Sequence, residues 1–208
     1  MLIEVCDYTK IIHKVTILEH VNCVFHSGVC YGLKGKNGSG KTMLMRAVCG
    51  LINPTSGYVS IDGKVIGKDI SFPENVGLLL ENPVFPGGYT GLKNLELLAS
   101  IQKRVSTEEI REVLKRVGLE PDDKRRYKKY SLGMKQKLGI AAAFMEKAPI
   151  IILDEPINAI DADGVERVKQ MIQEAKDRGA VLITACHNAE ELEQIADEII
   201  EISEGKII

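Results

Sequence analysis

The sequence predicts an α/β protein with a mainly parallel sheet, and three observations carry that prediction. Val76 to Leu80, Ile150 to Leu153 and Val181 to Ala185 are short apolar runs without polar alternation, the pattern of strands buried on both faces. The glycine-rich segment Gly35-Lys36-Asn37-Gly38-Ser39-Gly40-Lys41-Thr42 follows the apolar stretch Val29 to Leu33 and precedes the helical-looking Met43 to Val48. Residues 1–34 are rich in β-branched and apolar residues, so the first third of the chain reads as mainly strands.

The remaining elements follow in order. Tyr58-Val59-Ser60-Ile61, then Asp62-Gly63, then Lys64-Val65-Ile66, reads as a hairpin with a tight turn. Ser106 begins a helix: Glu109 completes a capping box, Ile110, Val113, Leu114 and Val117 share one face, and Gly118 stands where a helix stops. The middle of the chain is therefore helical. No repeat, low-complexity segment or linker divides the 208 residues, so one continuous domain over 1–208 is expected.

Composition narrows the function classes. With 45% hydrophobic and 27% charged residues the chain can build a real core. A net charge of -2 argues against a globally basic nucleic-acid binder. No apolar run approaches the roughly 18 to 20 residues of a membrane span, and the N-terminus lacks a signal-peptide pattern, so a cytoplasmic chain is expected. The five cysteines, Cys6, Cys23, Cys30, Cys49 and Cys186, are odd in number and lack both a CxxC pair and histidines at zinc spacing. They read as reduced, mostly buried thiols.

The glycine-rich segment fits G-x-x-x-x-G-K-[ST], a P-loop between a strand and a helix. Its glycines let backbone N–H groups turn towards phosphate oxygens, the following helix presents its positive end, Lys41 offers a cation, and Thr42 can ligate Mg²⁺. An ordinary glycine-rich turn would match the four fixed positions in about one chain of this length in a hundred, and the flanking strand and helix weigh against that reading. The run Ile150-Ile151-Ile152-Leu153-Asp154-Glu155-Pro156 is a buried strand ending in two acids, where open α/β sheets place ligand-facing residues. Neighbouring strand residues point oppositely, so Asp154 can orient the Mg²⁺ shell while Glu155 polarises the water that attacks the γ-phosphate. Two acids merely ending a strand at the surface would be the better reading without the P-loop.

Kinases, GTPases and helicases share these two motifs, and the segment between them decides. Tyr130-Ser131-Leu132-Gly133-Met134-Lys135-Gln136 resembles the signature motif of ABC ATPases, Asn158-Ala159-Ile160-Asp161 the D-loop, and His187 the switch histidine; Pro54-Thr55-Ser56-Gly57 and Glu204-Gly205-Lys206 also match in order and spacing. By this resemblance the chain is identified as an ABC transporter ATP-binding subunit. The resemblance implies a P-loop NTPase core with a mainly parallel sheet, an N-terminal antiparallel β subdomain and an inserted α-helical subdomain at about 83–147. It implies ATP and Mg²⁺ as ligands, with Gly35, Asn37, Gly38, Ser39, Gly40, Lys41, Thr42 and Met43 on the nucleotide, and Thr42, Glu81 and Asp154 towards the metal. It implies Lys41, Glu155 and His187 as the catalytic set. It further implies an ATP-dependent head-to-tail dimer, of identical or different chains, in which Ser131 and Gly133 of one subunit close over the ATP of the other. The helix beginning near Met134 would aim its positive end at the γ-phosphate. A separate integral membrane permease would hold the chain at the cytoplasmic face of the membrane, with no nucleic acid involved.

Three segments depart from the family pattern. Glu81 stands where glutamine is common, and a carboxylate can still ligate Mg²⁺. Leu-Ser-Gly-Gly-Gln becomes Tyr130-Ser131-Leu132-Gly133-Met134, keeping the serine and the second glycine. Ile12 stands where an aromatic residue commonly stacks on adenine, a contact worth about 1 to 3 kcal/mol, which leaves base selectivity open. Glu81 and the altered signature are together similar to exporters of the bacitracin and lantibiotic self-protection type. Export of a peptide, antibiotic or small amphipathic molecule is the expectation. The alternative is a soluble ABC ATPase acting on nucleic acid or ribosomes, but the chain has neither coiled-coil heptads nor a second P-loop.

Two surface features remain. Lys124-Arg125-Arg126-Tyr127-Lys128-Lys129 is a basic run read chiefly as a solvated face. Pro83-Val84-Phe85-Pro86-Gly87-Gly88-Tyr89 is a loop with apolar residues, read either as a grip on the permease or as local packing of Phe85 and Tyr89.

Overall fold

The structure, a computed structural model, describes residues 1–80, 83–186 and 188–208. Strands β1 (Leu2–Ile12) and β2 (Val15–His26) form a long hairpin whose turn residues, His13 and Lys14, both have positive φ. Next come β3 (Cys30–Lys34), α1 (Lys41–Val48), β4 (Ser56–Ile61) and β5 (Lys64–Val65). Asp62 and Gly63 turn β4 into β5 at φ 48° and 77°, the positive pair that a two-residue hairpin needs. Strand β6 (Val76–Leu79) leads into α2 (Gly91–Gln102), α3 (Thr107–Arg116), a 3-10 turn at Tyr127–Lys129 and α4 (Leu132–Met145). The chain closes with β7 (Ile150–Asp154), α5 (Ala162–Asp177), β8 (Val181–Ala185), α6 (Ala189–Glu193), β9 (Glu198–Ser203) and β10 (Lys206–Ile207).

Two sheets result. One is antiparallel, in the order β2-β1-β4-β5. The other runs β10-β9-β3-β8-β7-β6, parallel throughout except for β10. The unalternating apolar runs have a direct cause in this arrangement. Ile150 and Ile152 of β7 face a core shared with α1 and the antiparallel sheet, while Ile151 and Leu153 face a second core built on α4 and α5. A strand covered on both faces has no polar side to write into its sequence.

Helix α3 forms as expected: Ser106 and Glu109 make the reciprocal capping box, Ile110, Val113 and Leu114 are buried, and Gly118 follows at φ 77°. Helix α4 packs so closely on β6 that a Cβ on Gly77 would collide with the Ala143 carbonyl. It begins at Leu132 with Ser131 as its N-cap, two residues earlier than the expected start near Met134. The reason is local: Ser131 Oγ accepts from the Met134 N–H at 3.2 Å, which converts the signature serine into a helix cap.

The loop at 83–89 divides between its two readings. Phe85 packs edge-on against Tyr127, with ring centroids 5.5 Å apart, and the Tyr127 hydroxyl donates to the Pro83 carbonyl. Val84 and Tyr89 are left exposed. In the basic run Tyr127 is buried as an anchor under the Lys135 ammonium, and Arg125 pairs with Asp123 at 2.8 Å. All five cysteines are free, and burial pushes the thiols of Cys23, Cys30, Cys49 and Cys186 up to about 12.

Candidate functional site

The site sits beyond the C-terminal ends of the central parallel strands. Ala185 of β8 pairs with Leu33 of β3 on one side and with Asp154 of β7 on the other. The loop leaving β3 and the acids ending β7 are thereby brought together across one intervening strand, the crevice position of open α/β sheets. A cleft of about 600 Å³ opens there. Asn37, Gly38, Ser39, Gly40, Lys41, Thr42 and Met43 line it, together with Asp154, Glu155 and Ile12.

The loop geometry follows from its glycines. Gly40 ends it at φ 113°, and a Cβ there would come within 2.9 Å of Leu18 Cδ2. Gly35 does not line the cleft; a side chain there would run into the Ile202 carbonyl of β9. The Lys41 side chain folds back, its ammonium donating to the Gly35 carbonyl at 2.6 Å and the Lys36 carbonyl at 3.1 Å. Lys41 is only 7% exposed, and these bonds are what a buried cation requires. Helix α1 starts at Lys41 with no side-chain cap and no acid in its first turn, so its positive end faces the loop uncompensated. Ser39 Oγ is buried without a hydrogen-bond partner among the described residues. A buried cation, an uncapped helix start and an orphaned hydroxyl around glycine backbone suit a polyphosphate.

The end of β7 supplies the acids. Asp154 is buried, and its Oδ2 accepts from Thr42 Oγ1 at 2.8 Å. A hydroxyl and one carboxylate are the few protein ligands with which Mg²⁺ is held when substrate phosphates complete its shell. Among the described residues no group of three His, Cys, Asp or Glu could hold an ion alone. Glu155 lies beside Asp154 at the left-handed φ of 54°, its N–H bonded to the Ala185 carbonyl at 2.9 Å. The expected roles of Glu81 and His187 lie outside the described residues.

Ser131 and Gly133 are not brought to this cleft. Gly133 lies instead against the Ala159 carbonyl, which a Cβ would approach to 2.6 Å. Three cleft residues, Ile17, Asn158 and Gln136, were given no role in the sequence. Ile17 lines the cleft along with Ile12, and Gln136 donates through Nε2 to the Glu155 carbonyl at 2.7 Å. Gln136 closes the signature segment and its type was visible, but nothing local marks its partner, 19 residues away.

A P-loop facing an acidic strand end in a parallel sheet, with a helical insertion between them, defines a nucleotide-hydrolysing protein of P-loop type. Comparison with known proteins sharpens that class. The model of the ABC transporter family matches residues 18–158, and the chain belongs to this family. It is 45% identical to the uncharacterized ABC transporter ATP-binding protein YybJ of Bacillus subtilis, over 99% of this chain and 94% of that protein. The bacitracin transport ATP-binding protein BcrA of Enterococcus faecalis is 36% identical, over 100% of this chain and 68% of its own length. Among solved structures, the dimeric post-hydrolysis state of the ATP-binding cassette MJ0796 bound to ADP and Pi superposes with a TM-score of 0.86 at 22% identity, over 99% of this chain and 96% of that one. The chain is an ATP-binding, ATP-hydrolysing subunit of ABC type. Among the described residues no helix is long and apolar enough to cross a membrane.

Proposed function

We propose that this chain powers a separate membrane permease that exports a peptide antibiotic or a similar amphipathic molecule, held by that permease at the cytoplasmic face. The observation that carries the reading is the Thr42–Asp154 hydrogen bond at the floor of the cleft, with Glu155 next along the chain. Loop N–H groups, Lys41 and Ser39 would hold the phosphates, and Thr42 with Asp154 would hold Mg²⁺. The ion, when bound, neutralises charge on the phosphate oxygens. Glu155 would take a proton from the attacking water.

The 208 residues act in this reading as one cassette, with 83–147 as its helical part. Ser131 and Gly133 would complete the site of a second, head-to-tail subunit, which is supported by their absence from their own cleft and by the dimeric cassette of like fold. The peptide cargo rests on the relative named for bacitracin transport and on the pattern at Glu81 and Ser131-Leu132-Gly133-Met134.

The test is the mass of Glu155→Gln in solution, by light scattering, with and without ATP and Mg²⁺. Blocked hydrolysis should trap a dimer that forms only with both. A protein that binds ATP and stays monomeric would remove the identical-chain composite site.

A further inference from the structure

Glu155 carries a side chain in a backbone conformation that costs about 1 kcal/mol or more, and such conformations persist where the surroundings over-determine them. Three hydrogen bonds do so here. The Glu155 N–H donates to the Ala185 carbonyl at 2.9 Å, and the Glu155 carbonyl accepts from the Asn158 N–H at 3.2 Å and from Gln136 Nε2 at 2.7 Å. The first two are backbone bonds open to almost any sequence. The third needs one side chain, and Gln136 is 6% exposed and reaches the cleft wall from α4.

Helix α4 touches the same loop on either side of that bond. One turn earlier, Gly133 lies against the carbonyl of Ala159, itself left-handed at φ 60°. One residue later, Lys137 Nζ meets Asp161 Oδ1 at 2.6 Å. Two left-handed residues, Glu155 and Ala159, are thus braced by successive positions of a single helix whose N-cap is Ser131.

We propose that Gln136 is a positioning residue for hydrolysis, fixing the backbone from which the Glu155 carboxylate is aimed and coupling it to the Ser131 end of α4. The inference rests on Glu155 as the hydrolytic base. The chemistry requires an amide. The group must donate to a carbonyl while staying neutral in a buried place; an ionised glutamate would set acceptor against acceptor, and a leucine would leave the brace unmade.

The experiment compares Gln136→Leu, Gln136→Glu and Glu155→Gln with the unmodified protein, reading kcat and KM for ATP, ATP binding and Tm. Gln136→Leu should lower kcat about tenfold or more while KM and ATP binding stay within twofold, since a misaimed group costs rate and leaves binding intact. Gln136→Glu should be as slow at pH 8 and gain on the unmodified protein towards pH 6, where the protonated acid regains a donor. Burial at position 136 raises the titration of such an acid; of the charged residues lining the same cleft, Asp154 and Glu155 act in the same direction and Lys41 against it. A kcat within twofold for Gln136→Leu, or a ratio for Gln136→Glu that stays flat with pH, overturns the proposal. If Gln136→Leu does not fold, the pH ratio alone decides. Full turnover in Glu155→Gln would remove the reading of Glu155 as base, whereas a slow Glu155→Gln beside a normal Gln136→Leu would remove only the role of Gln136.

Discussion

Thr42 Oγ1 donates to Asp154 Oδ2 at 2.8 Å across 112 residues of chain, tying the end of the P-loop to the end of β7. The bond sets a hydroxyl and a carboxylate where a hard cation can be shared between protein and phosphate. Asp154→Asn keeps the shape and removes the charge. It should raise the Mg²⁺ concentration for half-maximal turnover by about 10-fold or more, since removing even a carboxylate that only orients a metal's ligands costs about 10- to 100-fold in affinity. Titrating Mg²⁺ at saturating ATP checks this, and an unchanged half-point would place the ion elsewhere.

Ile12 and Ile17 give the cleft an aliphatic part of its lining. Ile12→Tyr would offer a ring face to the base, and stacking contributes about 1 to 3 kcal/mol. Calorimetry should find ATP bound about fivefold tighter or more. No gain would mean that the base does not lie against position 12.

Close packing of β6 on α4 makes Gly77 intolerant of a methyl group. Gly77→Ala should cost about 2 to 3 kcal/mol, a fall in Tm of roughly 4 to 12 °C for a domain of this size. Differential scanning calorimetry reads it directly.

The Ser106 cap is exposed and remote from the cleft. Ser106→Ala should cost about 1 kcal/mol of stability and leave ATP turnover as it was. Altered turnover at unchanged stability would tie α3 to the site in a way its contacts do not suggest.

Four thiols titrate near 12 because burial disfavours the thiolate. Their folded values lie above the unfolded one, so the stability they contribute is complete below about pH 9 and lost as pH rises towards 12. Urea midpoints should therefore fall above pH 9. At pH 8 burial keeps the same thiols protonated, so alkylation of Cys23, Cys30, Cys49 and Cys186 should be slow until the protein unfolds.

Much of the fold was legible because its signals are local. The capping box of Ser106 and Glu109, the Asp62-Gly63 turn and the glycines of residues 35–40 act within a few residues, and the sequence carries them whole. The start of α4 was misplaced by two residues because Ser131 serves as a cap, a role that its resemblance to a phosphate-contacting serine concealed. Lys41 was legible as a cation, but not its fold-back onto the Gly35 and Lys36 carbonyls.

By itself the sequence determined the classes of strand and helix, the phosphate-binding loop and the two acids, because residue type and short spacing suffice for each. Tertiary structure alone decided that Thr42 meets Asp154, that Gln136 braces Glu155, and that Ser131 stays away from its own cleft. Those relations depend on which strands lie side by side, with β8 between β3 and β7. Strand order is set by burying both faces of one sheet at once, a condition on the whole chain that no window of it contains.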